Sequence, residues 1–96
     1  MTDKVDEFFY QRADAHIHLS NDQLKEVTRG KASASMLYAT ARFNAWVSAC
    51  GFNTANDMAE ARQETIDYFV EQYRKMLEDN LDDYIGNFEK YMVVKP

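Results

Sequence analysis

The 96-residue sequence predicts an all-α fold, a small bundle of three long or four shorter helices. Proline occurs only at Pro96, and glycine only at Gly30, Gly51 and Gly86. Turn-forming residues are therefore too few for a β-sheet of several strands. Apolar residues recur three and four positions apart, as on one face of an α-helix, and the alternation typical of strands is absent.

The length and the cysteine content predict a single domain in a reducing compartment. One domain over residues 1–96 is expected, with an ordered core at about 5–92 and short polar ends. Cys50 is the only cysteine, which leaves no intrachain disulfide and no cysteine-based zinc site. The acidic start does not resemble a signal peptide, and no apolar run approaches the roughly 20 residues that span a bilayer. We therefore expect a cytoplasmic protein.

The distribution of charge argues against nucleic-acid and membrane partners. Sixteen acidic and 11 basic side chains give a formal charge of −5. Ten of the acidic and four of the basic residues lie between residues 57 and 92, so this stretch alone carries −6. Nucleic-acid affinity depends largely on neutralising phosphates. We therefore expect no nucleic-acid partner and no binding to anionic membranes.

The first helix is expected to run from about Asp3 to about Thr28. Its apolar residues share one side when it is wound at 100° per residue. Ser20 begins a sequence typical of a capping box, so a break near Ser20 is the alternative. One continuous helix is favoured because the apolar side continues in register. That side comprises Val5, Phe8, Phe9, Ala15, Leu19 and Val27.

The second helix is expected to begin at Ser33 or Ser35 and to end at Gly51. Both serines are suitable N-caps, and glycine is common just after a helix. Arg42 is the only charged side chain between those ends. A helix with almost no charged face is typical of one that is buried between others. Helix two is therefore expected to be central.

The last segment begins near Asn56 or Asp57 and carries a long amphipathic stripe. As one helix to Met92 it would be about 54 Å long, whereas a domain of this size is about 35 Å wide. Either the helix breaks, or a second copy covers the stripe. A break at residues 78–80 is favoured, where an asparagine is able to cap the next helix, and Gly86 is a weaker site. The stripe comprises Ile66, Val70, Tyr73, Leu77, Leu81, Tyr84, Phe88 and Tyr91.

Two pairs of polar residues lie on the predicted apolar sides, Arg12 and His16 on the first helix and Thr40 and Asn44 on the second. Buried polar groups are usually hydrogen-bonded. These four are therefore expected to satisfy one another across a helix interface, or Arg12 to lay its stem along the core with its head in solvent. The functional alternative is a ligand-binding site for a small anion or carboxylate, formed by Arg12 and His16 with Thr40 and Asn44.

The motifs of catalysis and of metal binding are missing. His16 and His18 diverge by about 200° on a helix, so they cannot bind one ion. Cys50 lies near the end of a mostly apolar helix, where an inert core thiol is the usual case. No glycine-rich phosphate loop and no nucleophile elbow occur. We therefore expect no enzyme activity, no catalytic residues, no metal and no cofactor.

The aromatic residues of the last segment have two interpretations. Tyr73, Tyr84, Phe88 and Tyr91 at helical spacing are most often core residues. In the alternative, some of them stay exposed on the monomer and form an interface with a second copy or another protein. Tyrosine suits such an interface because it combines a rigid apolar ring with a polar tip.

Three segments resemble a known family: residues 29–45 (RGKASASMLYATARFNA), residues 69–77 (FVEQYRKML) and residues 80–85 (NLDDYI). They are similar to a small bacterial family known as domain of unknown function 3144, and the likeness runs from about Phe8 to about Met92. The resemblance implies a short, all-helical, single-domain protein. It implies no catalytic residues, because the family has no assigned activity.

The leading functional hypothesis is a non-enzymatic protein that acts by association, as a homodimer or with an unidentified protein partner. The long aromatic stripe and the missing catalytic motifs are its basis. The alternative is a small-ligand binder or an enzyme that uses Arg12, His16 and Asn44.

Overall fold

The structure is a computed structural model, and it describes residues 5–92. No strand occurs within this range, so the predicted all-α fold is confirmed. Residues 5–92 hold five helices, compared with the three long or four shorter ones expected, because short helices flank the last long one. They are α1 (Phe9–Gln23), α2 (Arg29–Ala49), α3 (Ala55–Glu60), α4 (Arg62–Gly86) and α5 (Phe88–Met92).

Contacts within the chain divide it into two units, Met1–Val47 and Ser48–Pro96. The first unit holds α1 and nearly all of α2, and the second holds α3, α4 and α5. The expectation of one domain over residues 1–96 stays a prediction. The predicted polar ends, residues 1–4 and 93–96, lie outside the described residues.

Helix α1 is shorter than the predicted first helix. The expected start at Asp3 lies outside the described residues, and residues 5–8 are not helical. The expected continuation to Thr28 is wrong, because α1 ends at Gln23. There the backbone N–H of Leu24 bonds to the carbonyl of Asn21 at 3.1 Å, a three-residue step that tightens and ends the helix.

Helix α2 begins earlier than predicted, at Arg29 instead of Ser33 or Ser35. The Thr28 hydroxyl accepts a hydrogen bond from the backbone N–H of Lys31 at 3.3 Å, as an N-cap residue does. Thr28 therefore supplies the cap that the serines were expected to supply, and Gly30 lies inside the helix. The predicted end near Gly51 is close to the observed end at Ala49.

Helix α2 is not the buried central helix that its missing charges predicted. Ala32 is its one buried residue, and its large apolar side chains are exposed. The side chains that are half-buried in the first unit are mostly small or polar, so they cover little apolar area. These half-buried residues are Phe9, Ala13, Ser20, Met36 and Asn44. The exposed apolar residues of α2 are Leu37, Tyr38, Phe43, Trp46 and Val47.

Helix α3 is six residues long and contacts the start of α4. The Thr54 hydroxyl caps it by accepting a hydrogen bond from the backbone N–H of Asp57 at 3.1 Å. Asp57 in the first turn places a negative charge at the positive end of the helix dipole. The predicted start near Asn56 is thus within one residue of the observed start at Ala55.

Helix α4 runs without a break from Arg62 to Gly86, a length of about 37 Å. The favoured break at residues 78–80 is therefore wrong. The Asn80 side chain does not cap a new helix, because its amide donates to the carbonyl of Met76 at 2.7 Å within the same helix. The helix ends instead at Gly86, the site judged weaker, and Asn87 leads into α5.

Candidate functional site

Arg12, the first residue of the predicted polar site, pairs with a carboxylate outside that site. Its two terminal nitrogens donate to the two oxygens of Asp6, at 2.7 and 3.1 Å. Both side chains are about 60% exposed, so the charged head lies in solvent. The hydrogen bond from Arg12 lowers the pKa of Asp6, and the same bond raises the pKa of Arg12.

The other three residues of the predicted polar site do not join Arg12. His16 is exposed, and Asn44 is half-buried. The Thr40 hydroxyl donates to the carbonyl of Met36 at 2.9 Å, inside its own helix. Within residues 5–92 no hydrogen bond or ion pair links any two of the four.

The expected mutually bonded cluster is therefore wrong. Arg12 and Thr40 each find a partner close by in sequence, and a local bond does not require two helices to be ordered against each other. The ligand-binding role of Arg12, His16, Thr40 and Asn44 stays a prediction. In the described part of the chain, no three His, Cys, Asp or Glu side chains are grouped as a metal site requires.

Two further expectations concern Cys50 and the membrane. Cys50 is exposed, so the expectation of a core thiol is wrong. It follows the last turn of α2, where the chain leaves the helix. None of the described helices is both long and apolar enough to cross a bilayer.

A continuous row of exposed apolar residues runs along α4. We define the α4 stripe as Ile66, Val70, Tyr73, Leu77, Leu81 and Tyr84, which are between 38% and 52% exposed. The opposite side of the helix carries most of its charges. Burying a fully exposed apolar side chain contributes about 1.5–3 kcal/mol, so each of these half-exposed side chains retains roughly half of that gain. The α4 stripe is therefore an uncovered surface with a large capacity for association.

The half-buried residues at the start of α4 lie on a different side from the stripe. They are Ala61, Thr65, Phe69 and Gln72, spaced three and four apart. They lie roughly a third of a turn around the helix from the α4 stripe. The half-buried side is therefore separate from the stripe, whose contact within the second unit is that of Tyr84 with Tyr91 of α5.

The predicted aromatic interface residues are all exposed, between 41% and 54%. Tyr73 and Tyr84 belong to the α4 stripe, and Phe88 and Tyr91 lie on α5. The rings of Tyr84 and Tyr91 lie 4.9 Å apart, so the aromatic surface continues from α4 onto α5. Whether these residues form an interface stays a prediction.

Asp83 holds α5 against the end of α4, a role that the sequence reasoning missed. Its carboxylate accepts hydrogen bonds from the hydroxyl of Tyr91 at 3.1 Å and from the amide of Asn87 at 3.0 Å. The first of these bonds raises the pKa of Tyr91. The spacing of Asp83, Asn87 and Tyr91, four residues apart each time, was a visible signal for this contact.

A second apolar surface lies on α2. Phe43 and Trp46 are about 60% exposed, and their rings lie 5.6 Å apart. Leu37 and Val47 of the same helix are also exposed. The first unit therefore also leaves an apolar helix face in contact with water.

The comparisons with known proteins agree with the fold. The sequence model of a family described as "Protein of unknown function (DUF3144)" matches residues 9–85. The NMR structure of the protein NB7890A from Shewanella sp. is similar, with 38% sequence identity and a TM-score of 0.77. That likeness covers 96% of this chain and 98% of the other. No curated protein matches the chain.

The match covers well over half of the sequence, and it confirms the resemblance found in residues 29–45, 69–77 and 80–85. The chain belongs to the DUF3144 family.

Proposed function

We propose that this protein is a helical association module that pairs with a second copy of itself. The observation that carries the proposal is the burial pattern. Within residues 5–92 only Ala32 is a buried apolar residue, while 23 large apolar side chains are exposed. Soluble monomers rarely expose continuous apolar patches of more than a few hundred Å².

Exposed apolar side chains occur on a long helix of each unit, which supports association with a partner. They are the α4 stripe in the second unit and Phe43 and Trp46 of α2 in the first. A second copy is the simplest partner, since it carries the same uncovered faces.

The proposed role is non-enzymatic and cytoplasmic, with no nucleic-acid or membrane partner. These parts of the proposal rest on the residue pattern and on the acidic charge of residues 57–92. They do not depend on the α4 stripe. Evidence against self-association would therefore not contradict them, and evidence against them would not contradict self-association.

Sedimentation equilibrium at micromolar concentration tests the proposal. We expect a mass of 22.4 kDa, twice the 11.2 kDa of one chain. Leu77→Glu, which places a charge in the α4 stripe, is expected to shift the mass to 11.2 kDa because a buried charge without a partner is costly.

The matched control is Lys75→Glu, which places the same charge on the opposite side of α4. It is expected to keep the mass of the dimer. Circular dichroism on both variants verifies that the helices are retained. A wild-type protein that sediments only as a monomer would overturn the proposal, because the apolar faces would then be covered without a second copy.

A further inference from the structure

Five of the six residues of the α4 stripe, all except Ile66, are arranged symmetrically about Leu77. Tyr73 and Leu81 lie four residues before and after it, and Val70 and Tyr84 lie seven residues before and after it. All five residues belong to one unbroken helix. A helix turned end over end about Leu77 therefore presents apolar residues at the same positions.

This symmetry matches an antiparallel pair of α4 helices around a twofold axis. Leu77 would face Leu77 of the second copy, since a twofold interface pairs each position with its mirror position along the helix. Tyr73 would face Leu81, and Val70 would face Tyr84. Each tyrosine thus meets a smaller aliphatic side chain, as close packing of two facing rows requires.

A parallel pair in the same register gives poorer packing. Tyr73 would then face Tyr73 and Tyr84 would face Tyr84, while Val70 would face Val70. Two large rings would meet at some levels and two small side chains at others. Such a row leaves gaps beside crowded contacts, and both are destabilising.

The charges favour the same direction. Residues 62–76 carry three acidic and three basic side chains and are neutral, whereas residues 78–92 carry five acidic and one basic and hold −4. A parallel pair would place two halves of charge −4 side by side. An antiparallel pair places each acidic half beside a neutral half, which lowers the repulsion.

Arg74 is positioned to contribute to an antiparallel pair. It lies on the flank of the α4 stripe, and in that pair it would reach the level of Glu78 and Asn80 of the second copy. Its contact in one chain is with Glu71, at 3.6 Å between two side chains that are more than half exposed. Such a long, solvated ion pair is readily exchanged for one across an interface.

We infer that two copies of this protein pair through α4 in antiparallel orientation, with Leu77 at the twofold axis. The inference rests on the proposed self-association and adds the surface and the direction of pairing.

Disulfide cross-linking in full-length protein tests it. Cys50→Ser is the background, because the exposed native thiol would cross-link by itself. A disulfide requires the two Cα atoms to lie about 4.4–6.8 Å apart. Leu77→Cys is therefore expected to form a 22.4 kDa species under mild oxidation, twice the 11.2 kDa of the chain.

The two outer positions decide the direction. In an antiparallel pair, residue 70 of one copy lies about 21 Å along the helix from residue 70 of the other. Val70→Cys and Tyr84→Cys are each expected to remain at 11.2 kDa alone and to form the 22.4 kDa species when mixed. Tyr73→Cys mixed with Leu81→Cys provides a second pair, should either outer variant fail to fold.

The outcomes separate the two proposals. Cross-linking of Val70→Cys with itself would indicate a parallel pair and overturn the inference, while the self-association stands. A dimer by sedimentation in which no α4 cysteine cross-links would show that another surface pairs, and would overturn it too. A monomer by sedimentation would overturn the proposed function and the inference together.

Discussion

The hydroxyl of Tyr91 donates a hydrogen bond to the carboxylate of Asp83 across the junction of α4 and α5, at 3.1 Å. Asn87, at the junction itself, donates its side-chain amide to the same carboxylate at 3.0 Å. One acidic residue thus holds two side chains of the segment that follows it. A helix of five residues is too short to be stable alone, so this contact is a main source of order in α5.

Tyr91→Phe is expected to loosen α5 while α4 stays intact. The variant keeps the ring but loses the hydroxyl that bonds to Asp83. Amide hydrogen exchange of residues 88–92 should become several-fold faster, with little change before residue 83. Tyr84→Phe is the matched control, because the hydroxyl of Tyr84 makes no such bond. Equal exchange in wild type and Tyr91→Phe would contradict the role of this contact.

The same contact predicts a loss of order in α5 at high pH. The hydrogen bond to Asp83 raises the pKa of Tyr91 above its ordinary value of 10.0, since the bond needs the proton. A raised pKa means that the stabilisation is fully present below pH 10.0 and is lost as the pH rises through the pKa of the folded state. The phenolate absorbance step that disappears in Tyr91→Phe should therefore lie above pH 10.0. A step at or below that value would refute this prediction.

The pair of Asp6 and Arg12 predicts a loss of order before α1 at low pH. The hydrogen bond from Arg12 lowers the pKa of Asp6 below its ordinary value of 3.8. The stabilisation is therefore present above pH 3.8 and is lost as the pH falls through the lowered value. An NMR titration should place the Asp6 carboxyl below 3.8, and Arg12→Gln should return it towards that value. His16→Gln, a nearby exposed substitution, should leave it unchanged.

Thr54→Ala is expected to destabilise the second unit by about 1 kcal/mol, the usual cost of a lost N-cap. The hydroxyl of Thr54 accepts from the backbone N–H of Asp57, which would otherwise lack a partner in the helix. Urea unfolding measures the change. Thr54→Ser, which keeps the hydroxyl, should stay near wild type. A loss of the same size in both variants would show that the cap is not the cause.

The helix ends illustrate how far local patterns can be read. The end of the second helix near Gly51 and the start of the next near Asn56 were predicted from the sequence, because the signals that end and begin a helix act within three or four residues. The start of α2 was misjudged because Thr28, Ser33 and Ser35 are all suitable caps, and their order of preference is nearly equal. Thr28, the earliest of the three, is the cap in the structure. The first helix therefore does not continue to Thr28 as predicted.

The polar residues illustrate what local patterns leave open. Arg12 was correctly placed on a helix, and the solvent-exposed head considered as an alternative is what the structure shows. Its partner Asp6 lies six residues earlier and was not identified, because the pairing depends on the turn that precedes α1. Whether Arg12 and His16 bind a ligand depends on surfaces that helical periodicity does not describe.

The sequence by itself determined that this chain is all-α, that its last segment is amphipathic, and that five residues of the α4 stripe are spaced symmetrically about Leu77. These properties follow from spacings of three and four residues, which are local and can therefore be recognised in the sequence. Only the tertiary structure decided that α4 continues through residues 78–80, that its half-buried side holds Thr65, Phe69 and Gln72, and that the α4 stripe stays exposed. Those outcomes depend on which elements are available to pack against each other, and that is a property of the whole chain.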